Sequence, residues 1–176
     1  FKDKVLRNYS AKWFSDINIE DTRIPYRNIS VDVEHSKESV NSRGRIESSV
    51  RASGALPGIF PPVKMGDILH VDGGVMNNLP TDQTKGLGIS KIIGIDIGAN
   101  ASPESSGQEQ KEPGLFSLIS LVATLGDSAG ADLHRKQCDV LLLPEVSEIK
   151  IFDFKLYEKA ISIGYDCSVK NKNKLH

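Results

Sequence analysis

The sequence predicts an α/β domain, in which strands and helices alternate along the chain. Short apolar runs at 68–71, 92–97 and 139–144 are bounded by turn residues, as expected for buried strands. Apolar residues also recur at helical spacing over 115–133 and again over 154–164. This alternation of strand and helix patterns is typical of a layered α/β fold.

Composition narrows the class of protein before any motif is considered. The chain has 176 residues and a formal net charge of −1, enough for one domain with a core or half of a larger α/β enzyme. This charge gives no basic footprint for nucleic acid, and no apolar run approaches the roughly 20 residues that cross a bilayer. Cys138 and Cys167 lack metal-ligand spacing, which favours free, partly buried thiols in a reducing compartment.

The N-terminal half predicts a helix, a hairpin and a second helix. Residues 1–20 are polar with scattered aromatic side chains and favour a helical segment and a loop. Over 24–34 apolar and polar residues alternate, the period of a half-buried strand, and 35–45 favour a hairpin or turn. A short helix is predicted over 46–53, stopped by the proline and glycine at 57–58.

The C-terminal half predicts further elements. Residues 82–87 favour a brief helix closed by Gly88, and the near-continuous apolar run 92–97 predicts a strand covered on both faces. Residues 99–113 are rich in Ser, Gln, Glu and Gly and predict a mobile surface loop. The final helix ends in three lysines between residues 170 and 174, cations suited to a helix C-terminus.

One acidic residue is the leading catalytic candidate. Asp72 ends the apolar strand 68–71 and is followed immediately by Gly73 and Gly74. Glycines let the backbone turn at φ values that other residues avoid, and they leave space beside the acid. An aspartate in this position can point into a cleft, so Asp72 is predicted to be catalytic.

Two sequence blocks close to each other form the most specific motif of the chain. The first is VRASGALPGIFPPV at 50–63 and the second is VDGGVMNNLPTD at 71–82, extended by GLGISKIIGID at 86–96. Together they resemble the patatin-like phospholipase family, and within it the bacterial and neuropathy-target-esterase-like branch. Looser likeness covers most of the chain from about Phe14 onward.

The resemblance implies a three-layer α/β/α hydrolase fold and a serine–aspartate dyad. A serine on a G-x-S-x-G turn attacks an ester carbonyl, the aspartate matched by Asp72 accepts its proton, and an upstream glycine-rich loop binds the oxyanion. The implied substrates are phospholipid or lysophospholipid esters. The implied location is intracellular, either soluble or in peripheral contact with a membrane. No cofactor is implied, and the acidic residues do not cluster at metal-ligand spacing.

Part of the family's machinery is missing from the sequence. Residues 1–71 contain neither the glycine-rich loop nor the G-x-S-x-G that the family places before its aspartate, and the first residue is Phe1 rather than methionine. Residues 1–176 are therefore expected to be the C-terminal portion of a single patatin-like domain, incomplete in fold and inactive alone. The alternative is a non-catalytic patatin-fold module that binds a partner or a membrane surface.

A G-x-S-x-G does occur later, around Ser128 in the segment 126–130. A working nucleophile turn needs a strand before it and a helix after it, whereas the residues before Ser128 keep helical spacing. The motif also follows Asp72, the wrong order for the family. Helix packing is therefore favoured for Ser128, with a hydrolase that uses it as the less favoured alternative.

Other polar residues near these motifs are predicted to be structural. His70 projects to the same strand face as Asp72, but a partly exposed structural histidine is favoured over a catalytic pair. Asn77 and Asn78 favour a tight turn with local backbone capping. Asp96 ends a strand and favours a capping or turn role.

Overall fold

The computed structural model describes residues 3–14, 16–98, 130–149 and 153–175. Strands and helices alternate within these ranges, which confirms the predicted α/β class. The described part divides into two compact units, the first built on residues 3–80 and the second on 81–98, 132–149 and 153–175.

The first unit contains a four-stranded antiparallel sheet beside two helices. In sheet order the strands are β2 (Lys37–Asn41), β1 (Asn28–Asp32), β4 (Ile68–Asp72) and β3 (Val63–Met65). The helices are α1 (Asp3–Phe14) and α2 (Ile46–Ser53). The predicted hairpin (β1–β2), the predicted second helix and the short strand that ends at Asp72 are therefore confirmed. Strand β3 was not predicted, because it follows directly on a proline-rich connector.

Strand β1 differs from its prediction in burial. Its apolar and polar residues alternate as expected for a half-buried strand, yet every residue from Ile29 to Asp32 is buried. The polar face can be buried because its side chains are hydrogen-bonded within the protein. Ser30 is hydrogen-bonded to His70, and Asp32 is hydrogen-bonded to His35. The expectation that one face of β1 meets solvent is therefore wrong.

The core of the first unit lies where the first sequence block meets the sheet. Ala52 of α2, Ala55 and Val63 of β3 form a buried apolar cluster, and Met65 packs against it. Small alanine side chains allow the helix to approach the strands closely. This packing fixes the first block against β4, the strand that ends at Asp72.

The second unit contains a short parallel sheet and three helices. Strand β5 (Ile93–Ile95) pairs with β6 (Val140–Leu142), and helices α3 (130–136), α4 (Tyr157–Lys170) and α5 (Lys172–Leu175) belong wholly or mainly to this unit. The predicted strands over 92–97 and 139–144 and the predicted final helix are confirmed. The brief helix predicted over 82–87 is a single 3-10 turn at Thr81–Thr84.

Strand β5 is not covered on both faces as predicted. Ile93 is 50% exposed and Ile95 is 60% exposed, while Gly94 between them is buried. Within the described part of the chain β5 pairs with β6 alone, so it is an edge strand with one open side. Ile93 and Ile95 project from the same face of β5, and that face is the one left open.

Several predictions concern residues outside the described ranges. These are the mobile loop at 99–113, the helix from 115 up to the start of α3, and Ser128. Cys138 and Cys167 are free thiols of intermediate burial, as predicted. Across the described ranges, no helix is both long enough and apolar enough to cross a bilayer.

Candidate active site

Asp72, in the second sequence block, is held at the end of β4 by a contact with the first block. Its amide N–H donates to the carbonyl oxygen of Ala55 at 3.1 Å, which ties the first block to the second. Its direct partner on the neighbouring strand β1 is Ser30. Because Ala55 is almost fully buried, this contact anchors the backbone of Asp72 to the core of the unit.

The carboxylate of Asp72 has two unlike oxygens. Oδ1 accepts a hydrogen bond from the amide of Gly74 at 2.8 Å and so caps the 3-10 turn Gly73–Val75. Among the described residues no donor bonds to Oδ2, which leaves that oxygen available to a reacting group. Burial raises the pKa of Asp72 above its usual value, and the Gly74 hydrogen bond acts in the opposite direction. A carboxylate with a raised pKa is a stronger base than a solvated one.

The two glycines after Asp72 are required for close packing and not for unusual φ values. Neither adopts a positive φ, so the first reason predicted for them is wrong. A Cβ on Gly73 would overlap the backbone carbonyl of Ile29 in β1. A Cβ on Gly74 would lie 3.0 Å from Asn78 Oδ1 and 3.2 Å from Asp72 Oδ1, crowding the carboxylate. The glycines therefore leave space beside the acid, as predicted.

The loop after the glycines is a tight turn that is fastened to a distant strand. The amides of Met76 and Asn77 both donate to the carbonyl of Gly73, which confirms the predicted turn. The side chain of Asn77 does not cap the local backbone as predicted. It is buried, and its Nδ2 donates to Glu38 Oε2 of β2 at 2.9 Å.

His70 is more deeply buried than predicted. It is only 5% exposed, so the expectation of a partly exposed strand histidine is wrong. Its Nδ1 lies 2.9 Å from the hydroxyl of Ser30 on β1. Burial lowers the pKa of His70, and the nearby carboxylate of Asp32 acts in the opposite direction. His70 is therefore predominantly neutral at pH 7.

Asp32 is a buried acid on the same sheet face as the half-buried Asp72. Its carboxylate accepts hydrogen bonds from the backbone amide of His35 at 3.0 Å and from the ring of His35 at 2.8 Å. Burial works to raise its pKa, but these hydrogen bonds and the charges of His35 and Lys37 hold the pKa of Asp32 below its usual value. Sequence reasoning missed this acid and its hydroxyl neighbour Ser30. The available signal was the run of polar residues on alternate positions of β1.

Asp96, in the second unit, has the predicted turn-capping role. Its Oδ1 accepts a hydrogen bond from the amide of Gly98 at 2.8 Å. Its Oδ2 accepts a second from Arg135 Nε of α3 at 2.7 Å, and this contact was not predicted. Asp96 therefore joins the end of β5 to the helix that precedes β6.

Removing the partner of Asp96 is expected to destabilise the second unit. Arg135→Met leaves a buried carboxylate without its cation, which costs about 3 kcal/mol, the lower end for buried pairs because the arginine is partly exposed. Urea denaturation of the 176-residue chain measures this loss in the free energy of unfolding. Lys136→Met, at the exposed neighbouring position, is the matched control and is expected to change it by less than about 0.5 kcal/mol. Equal effects of the two variants would contradict the assignment.

The partial burial of Asp72 also predicts a pH-dependent stability difference at this position. Because burial raises the pKa of Asp72 in the folded state, its favourable contribution is present when it is protonated and is lost as the pH rises through that pKa. Asp72→Asn keeps an oxygen for the Gly74 amide and removes the partly buried charge. We expect this variant to melt at or above the wild-type temperature at pH 7, and the difference to shrink as the pH falls towards the usual value of 3.8.

Thermal unfolding at pH 7 and pH 4 checks this expectation. Asp72→Ala is the control, because it removes the charge together with the capping oxygen and is expected to cost about 1 kcal/mol relative to Asp72→Asn. A clear loss of stability in Asp72→Asn at pH 7 would show that the ionised carboxylate stabilises the fold.

Comparison with known proteins finds one family model that matches part of the chain, and several similar proteins. Residues 1–85 match the family model for patatin-like phospholipases. Human "Patatin-like phospholipase domain-containing protein 6" is 38% identical over 176 residues, which cover 86% of this chain and 13% of that protein. "Neuropathy target esterase sws" of Drosophila melanogaster is 40% identical over 89 residues, 49% of this chain and 6% of that protein. "Lysophospholipase NTE1" of Saccharomyces cerevisiae is 25% identical over 175 residues, 88% of this chain and 10% of that protein.

These matches confirm the resemblance to the patatin-like phospholipase family, which is a family of lipid hydrolases. One of the aligned relatives is named a neuropathy target esterase and another a lysophospholipase. The chain spans between 6% and 13% of the length of these three relatives. The matched family segment includes the blocks at 50–63 and 71–82, and so includes Asp72.

Proposed function

We propose that Asp72 is the general base of a serine lipid-acyl hydrolase, a carboxylesterase of the lysophospholipase or phospholipase A type. The observation that supports this most is the state of its carboxylate. One oxygen is fixed by Gly74, the other accepts no hydrogen bond within the described ranges, and burial raises the pKa of the acid. Such a group can receive a proton from a nearby hydroxyl without a histidine.

The proposed reaction proceeds in two halves. Asp72 takes the proton of a serine hydroxyl as the serine oxygen attacks the ester carbonyl, and the tetrahedral intermediate collapses to an acyl-enzyme. The leaving alcohol takes that proton from Asp72 as its bond to carbon breaks. Water then attacks the acyl-enzyme, Asp72 accepts a proton from the water, and it returns a proton to the serine as the fatty acid leaves.

The chain supplies only the aspartate of the proposed dyad. No G-x-S-x-G precedes Asp72 in the sequence, so the nucleophile and the oxyanion donors are proposed to lie outside these 176 residues. Residues 1–176 are then the C-terminal portion of one patatin-like domain with an incomplete three-layer α/β/α fold. On this proposal the chain alone is inactive, and the longer protein that contains it acts on phospholipid or lysophospholipid esters inside the cell, soluble or at a membrane surface.

A non-catalytic patatin-fold module is the second candidate. The observation that favours it is the same absence of a nucleophile motif before Asp72. Such a module would bind a partner or a membrane surface without hydrolysing lipid. The two candidates differ in whether the longer protein contains a reactive serine upstream of Phe1.

A fluorophosphonate probe separates the candidates, because it reacts covalently with activated serines. The probe is applied to the longer protein and to the 176-residue chain, and the labelled peptide is identified by mass spectrometry. The enzyme proposal predicts one labelled serine upstream of Phe1 and no label on the chain alone. No labelled serine in a folded preparation of the longer protein would support the module, and labelling of Ser128 would overturn both readings.

A further inference from the structure

Three buried polar side chains, joined by hydrogen bonds, form a row across the sheet beside Asp72. Asn41 Nδ2 on β2 lies 3.0 Å from Ser30 Oγ on β1, and Ser30 Oγ lies 2.9 Å from His70 Nδ1 on β4. Ser30 is fully buried, and its two neighbours are at most 9% exposed. Polar groups at this depth must satisfy one another, so the pattern of donors and acceptors is constrained.

The direction of the hydrogen bonds follows from the side-chain amide of Asn41, at one end of the row. The Nδ2 of Asn41 can only donate, and it donates both to Asn28 Oδ1 at 2.8 Å and to Ser30 Oγ. The hydroxyl hydrogen of Ser30 is then left to donate to His70 Nδ1. His70 is therefore an acceptor at Nδ1, and as a neutral ring it carries its proton on Nε2.

A protonated His70 does not fit the same arrangement. Its Nδ1–H would donate to Ser30 Oγ, and the hydroxyl hydrogen of Ser30 would then have no acceptor among the described residues. A buried hydroxyl without a hydrogen-bond acceptor lowers the stability of the folded state. The geometry thus holds one tautomer of His70.

These three hydrogen-bonded side chains link β1 to β4, the strand that ends at the proposed base Asp72. Ser30 is the direct cross-strand partner of Asp72, and His70 lies two residues before Asp72 on the same strand. We propose that His70, held by Ser30 and Asn41, is a positioning residue that fixes the end of β4 against β1 and thereby aims the carboxylate of Asp72. The catalytic part of this inference rests on the proposed function, whereas the tautomer of His70 does not.

The tautomer is tested first, in the 176-residue chain itself. Two-dimensional 15N spectra of the histidine rings at pH 7 are expected to show His70 with an unprotonated Nδ1 and a protonated Nε2, assigned by loss of the signals in His70→Asn. Ser30→Ala is expected to remove this preference. A wild-type His70 that carries its proton on Nδ1, or that is an imidazolium at pH 7, would overturn the inference.

Catalysis is tested next, in the longer protein. Ser30→Ala and His70→Leu are expected to lower kcat for ester hydrolysis by about 10- to 100-fold with KM changed less than about twofold, because misplacement of a reacting group affects the chemical step. His70→Asn places an amide oxygen near the position of Nδ1 and is expected to recover much of this loss. Circular dichroism checks that each variant is folded, and Ser48→Ala, whose hydroxyl bonds to the Arg45 carbonyl near the surface, is the matched control.

The outcomes separate this inference from the proposed function. If Asp72→Asn leaves hydrolysis unchanged, the proposed function fails whatever the spectra of His70 show. If Asp72→Asn is inactive while folded Ser30→Ala and His70→Leu retain wild-type kcat, the positioning role of His70 fails and the proposed base stands. Recovery by His70→Asn alone among the position-70 variants supports the positioning role.

Discussion

Replacing Asp72 by asparagine in the longer protein is expected to lower kcat for lysophospholipid hydrolysis by about 10²- to 10⁴-fold, the usual contribution of a general base. Asparagine keeps an oxygen that can accept the Gly74 amide, so the turn after β4 is retained. It cannot accept a proton from the serine. The loss is therefore expected in kcat, with the fold intact.

Asp67→Asn is the matched control for this substitution. Asp67 lies in the turn between β3 and β4, and its side chain is fully exposed and lies 3.3 Å from Lys64 Nζ. The same change of charge there is expected to alter kcat by less than twofold. Undiminished turnover in Asp72→Asn would remove Asp72 from the mechanism.

Gly73→Ala is expected to be the most destabilising single substitution in the first unit. The added Cβ would overlap the backbone carbonyl of Ile29, and backbone atoms cannot rotate away as a side chain can. Strand β1 lies between β2 and β4, so a shift of β1 disturbs pairing on both sides. We expect a loss of about 3 kcal/mol or more in the free energy of unfolding, at the upper end for overpacked cores.

Denaturant unfolding of the 176-residue chain measures this effect, with Gly164→Ala as the control. Gly164 lies inside α4, and a Cβ there would meet no atom within 4 Å. Alanine at that helical position is expected to raise stability by about 0.5–1 kcal/mol. A Gly73→Ala chain as stable as wild type would show that β4 and β1 can separate without cost.

Local patterns in the sequence predicted the elements that place the site. The helix over 46–53 and the strand that ends at Asp72 follow from short-range periodicity and from turn residues. The candidate base itself came from its position before two glycines and from the motif at 71–82. These features depend on residues close together in the chain, which is why sequence alone could predict them.

The features that sequence could not predict depend on contacts between distant residues. The need for Gly73 comes from the approach of Ile29, which lies 44 positions earlier and on another strand. The burial of Ser30 depends on His70, 40 positions away. An alternating pattern predicts one solvent-facing side, whereas here the polar side is buried because it is internally hydrogen-bonded.

The same reasoning explains the exposed strand in the second unit. An apolar run such as 92–97 predicts coverage on both faces, but coverage depends on which strands and helices lie alongside. In the described ranges β5 has one strand partner, and its isoleucines are exposed. Periodicity predicts that a strand forms and does not predict its position within a sheet.

The central claim is that Asp72 activates a serine, and the pH dependence of fluorophosphonate labelling tests this most directly. The probe reports the reactivity of the serine without the later steps of turnover. In the longer protein the labelling rate is expected to fall as the pH is lowered through the pKa of Asp72, which burial raises above 3.8. In Asp72→Asn the rate is expected to be at least about 10²-fold lower, without that acid limb. Labelling of Asp72→Asn at the wild-type rate, with the same pH profile, would contradict the account.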